Sequence, residues 1–136
     1  MSCDVAVELV GDPERVLGVV IAILEYLGAP VGSWVQLDDG RRLGDRRPFG
    51  VAHGLALSLD PTSLTEGAEQ GDDIEELIGA LTSALGDDGE LQSWWCGPER
   101  TALYFYGRDL DRLREVLESA PARSPLARWS RIEPIT

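Results

Sequence analysis

Residues 4–10, DVAVELV, alternate apolar with polar positions and are rich in valine, the pattern of a strand with one buried face. The polar cluster GDPER that follows predicts a helix start. Asp12 stands at the cap and Pro13 at the first helical position, where its missing N–H costs nothing. This helix is predicted to run to about Leu27 and to stop at Gly28-Ala29-Pro30. Val16, Leu17, Val19, Val20, Ile21, Ile23, Leu24 and Leu27 make it apolar around most of its circumference, so it requires deep burial or a second packing partner.

Residues 33–37, SWVQL, predict a second strand, and Asp39-Gly40 is a tight-turn signal that extends it toward a small hairpin. Residues 51–60, VAHGLALSLD, alternate sharply. His53, Leu55, Leu57 and Leu59 take one face, while Ala52, Gly54, Ala56 and Ser58 make a very small other face that suits close approach of another element. A helix is predicted to open at Asp72 and Glu75 in capping-box spacing, to carry the stripe Ile74, Leu77, Ile78, Leu81 and Leu85, and to end at Gly86. Two strands follow at about 90–96 and 102–107, then a helix from about Asp109 with Leu110, Leu113, Val116 and Leu117 on one side. The terminal ARWSRIEPI reads as a short edge strand, because Pro134 has no N–H for a central ladder.

The elements thus fall in the order β-α-β, β-α-β, β-α-β, with no matching sequence period. Alternating strands and short links favour an α+β fold: an antiparallel or mixed sheet with three helices on one face, as in ferredoxin-like αβ sandwiches. A doubly wound parallel sheet is disfavoured, since its strands read as continuous apolar runs. The length of 136 residues fits one domain, 1–136, with a core large enough to need no disulfide or metal.

Charge changes the picture most. Twenty-four acids against twelve arginines leave a net charge of −12, a field that repels phosphate backbones and anionic membranes and speeds encounter with a basic partner. Ten acids and no base lie between Asp60 and Glu90. With no lysine in the chain, Schiff-base and lysine-base chemistry are excluded. Cys3 and Cys96 form neither a disulfide framework nor a metal motif, and the N-terminus lacks a signal-peptide pattern. The longest apolar run, Val16–Leu24, is far shorter than a membrane span. These features predict a cytoplasmic protein that binds neither nucleic acid nor membrane.

Candidate chemistry is sparse, and no catalytic, metal or cofactor motif is expected. His53 is the sole histidine and is in phase with core leucines. The Asp/Gly-rich stretches do not match a calcium loop, and GDPERVLG lacks the glycine spacing and lysine of a phosphate loop. Arg41, Arg42, Arg46 and Arg47 lie within seven residues and either grip an anion or neutralise the chain's own acids. A small-ligand or enzymatic domain using His53 and this loop is the alternative to a binding domain.

The window SWWCGPERTALYFYG, residues 93–107, holds five of the nine aromatic residues. Its register decides which rings are buried, because a one-residue slip reverses every side chain. A four-residue loop, 97–100, puts Trp95 with Tyr104 and Tyr106, and Trp94 with Leu103 and Phe105. A five-residue loop, 97–101, puts Leu91 and Trp95 with Leu103 and Phe105, leaving Trp94, Tyr104 and Tyr106 as a patch on the face away from the helices. The second segregates apolar from amphipathic side chains better and is the expectation. Cross-strand aromatic pairs also stabilise sheets structurally, by about 0.2–1 kcal/mol each.

The leading functional expectation is a non-enzymatic domain for a basic protein partner. Glu69, Asp72, Asp73, Glu75 and Glu76 would meet its cations, and Trp94, Tyr104 and Tyr106 would anchor it. In charge alone the chain is similar to acidic immunity proteins and nuclease inhibitors, which implies an inhibitor-like role. A homodimer through the aromatic face is compatible with this reading.

Overall fold

A computed structural model describes residues 3–62 and 70–136, the side chains of 70–72 excepted. In chain order the elements are α1 (Pro13–Tyr26), β1 (Ser33–Val35), β2 (Arg47–Phe49), β3 (His53–Leu59), α2 (Gln70–Leu85), β4 (Glu90–Cys96), β5 (Thr101–Gly107), α3 (Leu110–Glu118), the single turn α4 (Ala120–Arg123) and β6 (Arg131–Pro134). Among the described residues the fold is α+β: three main helices and six strands in two antiparallel sheets.

The main sheet runs β4-β5-β3-β6, and every neighbouring pair is antiparallel. Alternation explains its layering. Leu55, Leu57 and Leu59 stand opposite Phe105, Leu103 and Thr101, and all six are essentially fully buried. This face meets the stripes of α2 (Leu77, Leu81, Leu85) and α3 (Leu113, Val116, Leu117), with Ala120, Leu126 and Ala127 closing the core. The helix starts and stops follow local chemistry. Asp109 caps α3 by accepting the Arg112 N–H at 3.0 Å, and Gly86 ends α2 with φ +55°. As its proline requires, β6 is an edge strand.

Two expectations fail. Residues 4–10 form no strand, and Val5, Val7 and Val10 are exposed. β3 is already flanked by β5 and β6, so no hydrogen-bonding side of this central strand is left for the N-terminal run. The series of three β-α-β units is therefore absent. Helix α1 also stands outside the helical layer: Leu17 is its one buried side chain, and it contributes nothing to the core cluster.

Helix α1 is instead tied down by its ends and by the small β1-β2 sheet. The Arg47 guanidinium pairs with Glu14, the Glu25 carboxylate accepts the Gly50 N–H at 3.0 Å, and Arg108 donates to the carbonyls of Glu25 and Tyr26. Pro30 bridges Ala52 in parallel, joining this unit to the start of β3. Gly50 is required there. Its φ is +117°, and a Cβ would lie 2.0 Å from the Pro30 carbonyl oxygen. No helix among the described residues is long and apolar enough to cross a membrane.

Candidate functional site: the open face of the sheet

The hairpin closes with four residues, 97–100, where the Gly97 N–H donates to the Arg100 carbonyl at 3.0 Å. Trp95 pairs with Ala102, Trp94 with Leu103 and Ser93 with Tyr104. The expected five-residue register is thus overturned. Trp95, expected in the core, shares the open face with Tyr104 and Tyr106 and is 48% exposed. Trp94 leaves the expected patch for the helix side of the sheet, 55% exposed at the free edge of β4.

A bulge makes the shorter loop workable. The register shifts between Leu91 and Ser93, so Gln92 is the extra residue and Leu91 still faces Phe105. Without it, a four-residue loop would turn Leu91 away from the core. Two further contacts favour this register. Thr101 stays in the ladder, fully buried, with its hydroxyl 3.4 Å from the Cys96 sulfur. The Trp95 ring folds over Gly97, where a Cβ would sit 2.0 Å from it.

The open face is built on the small side of β3. Gly54, Ala56 and Ser58 stand opposite Tyr106, Tyr104 and Ala102. A Cβ at Gly54 would meet Ile135 Cγ1 and Tyr106 Cε1, each at 2.7 Å, so glycine is what lets the two side chains close over the strand. The Gly54 N–H donates to the Thr136 hydroxyl, and its carbonyl accepts the Ile135 N–H.

Beside Tyr106 the surface falls into a groove of about 760 Å³ between the end of α1 and the turn that leads into β4. Tyr106 lines it with Tyr26 and Leu27; Asp87, Asp88 and Glu90 form its acidic lip. Asp88 is ion-paired with Arg112, which also holds Glu115 and has its own pKa raised chiefly by Glu115 and then by Asp88. Among the described residues no ion pair engages Asp87 or Glu90, whose carboxylate accepts from the Gln92 amide. The groove brings part of the acidic 60–90 segment onto the aromatic face, at positions the sequence reasoning had not singled out. The signal was the short Gly86–Glu90 connection, which must lie at the end of the sheet beside Tyr106, the cross-strand partner of Glu90.

The acids singled out on α2 lie elsewhere. Asp73 and Glu76 line a second cleft of about 340 Å³ with Arg123, Arg128 and Trp129, so cations of the same chain face them. The Arg123 guanidinium is held by the Ser119 hydroxyl, and Arg128 lies 5.3 Å from the centre of the Trp129 ring. Glu75 is exposed on the same helix, whereas Glu69 and the Asp72 side chain fall outside the described residues. Helix α2 packs on the core face, so its acids are separated by the sheet from Tyr104 and Tyr106.

Two side chains of the arginine loop are engaged internally: Arg47 pairs with Glu14 and Arg46 stacks 4.0 Å over Trp34, while the main-chain N–H groups of Arg41 and Arg42 donate to the Asp39 carboxylate. Those two donors hold Asp39 below the usual carboxylate range. Neither cleft is lined by His53 or by any of these four arginines. Among the described residues no group of three or more His, Cys, Asp or Glu side chains is placed to hold a metal ion. No family model matches the chain, and no curated protein or solved structure matches it.

Proposed function

We propose that this chain is a non-catalytic binding domain for a basic protein partner, seated in the groove on the open face of the sheet. The observation that carries the reading is the joining of an acidic lip (Asp87, Glu90) to an aromatic wall (Tyr106, Tyr26) in one concave surface. Aromatic anchors inside a charged rim are the usual anatomy of a protein interface, and the net charge of −12 would steer a cationic partner toward it. Trp95 and Tyr104 extend the surface along the same face, Trp94 flanks it at the β4 edge, and Asp73, Glu75 and Glu76 contribute the long-range field from behind the sheet. An inhibitor-like or immunity-like role is the form of this function that the charge favours.

The finer fold reading belongs with this proposal. From β3 to β6 the order is β-α-β-β-α-β, and the sheet order places the third of these strands beside the first. We read this part as a ferredoxin-like plait, an architecture that leaves one sheet face free of helices. The unpaired cysteines, Cys3 and Cys96, support a reducing, cytoplasmic setting.

The test uses a labelled peptide rich in arginine and lysine, with one aromatic residue, titrated by fluorescence anisotropy at rising salt. Binding should weaken steeply with salt. Asp87→Asn with Glu90→Gln should weaken it about 3-fold or more, and Tyr106→Ala about 10-fold or more. Asp73→Asn with Glu76→Gln should change it less. Salt-insensitive binding, or indifference to the Asp87 and Glu90 changes, would overturn the proposal.

A further inference from the structure

The main sheet has two edges, and they are surfaced differently. β6 is guarded in the way edges usually are: it is short, ends in Pro134 and carries Arg131 and Glu133. β4 is seven residues long and has neither a proline nor a cation. Its bulge lies near its start, so the stretch from Ser93 to Cys96 keeps a regular register. Trp94, Trp95 and Cys96 are all exposed there. An edge of this kind is a template for another strand.

The hairpin fixes which main-chain groups are free. The Gly97 N–H bonds to the Arg100 carbonyl, and hydrogen-bonded pairs alternate with non-hydrogen-bonded ones along an antiparallel ladder. Trp95 and Ser93 therefore turn their N–H and C=O toward β5. Trp94 and Cys96 turn theirs away from it, to the open edge. The side chains divide as well. On the helix side the edge row is Leu91, Trp94 and Cys96, which is apolar throughout. On the open side it starts at Glu90, the one acid of β4, and the groove adds Asp87 and Asp88 beyond it.

We propose that the basic partner adds an extended segment to β4 as a further strand, with apolar side chains beside Trp94 and basic ones beside Glu90. This rests on the reading of the groove as the seat of a basic partner, and it names the form in which that partner arrives. Two features select such a segment. Edge and groove are continuous, since Glu90, Gln92 and Ser93 belong to both. Side chains of a strand alternate between faces, so a segment that alternates basic with apolar residues puts its cations on the acidic side and its apolar groups on the row of Trp94. A second copy of this chain would instead bring a further net charge of −12. Neither its β4 nor its valine-rich run 4–10 holds a cation to meet Glu90.

The probe is a labelled peptide that alternates arginine with valine, titrated against the full chain by fluorescence anisotropy. It should bind at least about 10-fold more tightly than a peptide of the same composition with its arginines and valines in two blocks. In an added strand only every second N–H faces β4, and each one lost leaves a carbonyl of Trp94 or Cys96 unpaired. N-methylation of one alternate set should therefore weaken binding at least about 10-fold, and of the other set less than about 3-fold. The valine amides are the sensitive set for an antiparallel segment and the arginine amides for a parallel one. Amide exchange at Trp94 and Cys96 should slow about 10-fold or more in the complex, while Trp95, already bonded to β5, changes little. Salt-sensitive binding with both methylated sets alike, equal binding of the block peptide, or unchanged exchange at Trp94 and Cys96 overturns the added strand and leaves the groove reading standing. Absence of binding by either peptide overturns both. A dimer of the chain alone, dissolved by the peptide, gives the edge to a second copy and overturns the proposal.

Discussion

Gly54 offers the sharpest test of how the open face is built. In Gly54→Ala the new methyl would stand 2.7 Å from both Ile135 Cγ1 and Tyr106 Cε1, about 1 Å inside an ordinary carbon–carbon contact. The Tyr106 ring is held in its strand by the ladder to β3, so the end of the Ile135 side chain is the softer neighbour. Moving it strains the Ile135 N–H bond to the Gly54 carbonyl and the Thr136 hydroxyl's bond from the Gly54 N–H. Overpacking of this kind costs about 1–3 kcal/mol. Loss of backbone freedom in the unfolded chain offsets about 0.4–1 kcal/mol of that, leaving a net loss of about 0–2.6 kcal/mol, centred on about 1.3 kcal/mol.

Urea unfolding followed by tryptophan fluorescence measures the loss, and a double-mutant cycle with Ile135→Ala tests its cause. Ile135→Ala removes Cγ1, so Gly54→Ala should cost less in that background by at least about 0.5 kcal/mol. Amide exchange at Ile135 should quicken in Gly54→Ala, because Ile135 is pushed away from its acceptor, the Gly54 carbonyl. If the two substitutions are additive, or Gly54→Ala stabilises the protein, then Tyr106 and Ile135 do not close over β3 as described.

Leu57 is fully buried at the centre of the sheet beneath the helices, so Leu57→Ala should cost about 2–5 kcal/mol in the same urea assay; a loss below 1 kcal/mol would place the core elsewhere. Asp39 titrates below its ordinary value because the N–H groups of Arg41 and Arg42 donate to it. Its folded pKa lies under its unfolded one, so its stabilisation is complete above about pH 3.9 and is lost as pH falls through the folded value. Carbon-detected titration should find the Asp39 midpoint below that of an unfolded aspartate, and Asp60, which accepts from the Thr62 hydroxyl and N–H, should behave alike. An ordinary midpoint at Asp39 would mean that the 39–42 turn is not formed.

What was legible in the sequence is whatever a single period reports. The two-residue alternation of 53–59 correctly divided large side chains from small ones, and the helical stripes of 74–85 and 110–117 correctly marked the faces that meet β3 and β5. Alternation in 4–10 was equally clear, yet it measures fitness for a strand and not pairing: β3 is flanked on both sides, and the run adds to neither edge strand, β4 nor β6. The hairpin register failed for a different reason. Choosing between loops of four and five residues assumes one continuous phase along β4, and the bulge at Gln92 breaks that phase. Gln92 is polar, lies on an edge strand and suits either face, so nothing in its identity announced the break.

The same bulge gives the two tryptophans different work. With the phase broken, Leu91 keeps its place against Phe105, while Trp94 and Trp95 fall on opposite faces of an edge strand. Neither ring reaches the core, and their burial stabilises the fold less than their size suggests. Trp95 is nonetheless fixed, because its ring folds over Gly97. Tyr106 is fixed over Gly54 in the same way, a large ring laid on a residue with no side chain. Rings held by glycine on their own sheet have little rotamer freedom left to lose on binding, which lowers the cost of association for any partner that covers them. A strand so rich in small residues is thus matched to large aromatic neighbours on the same face.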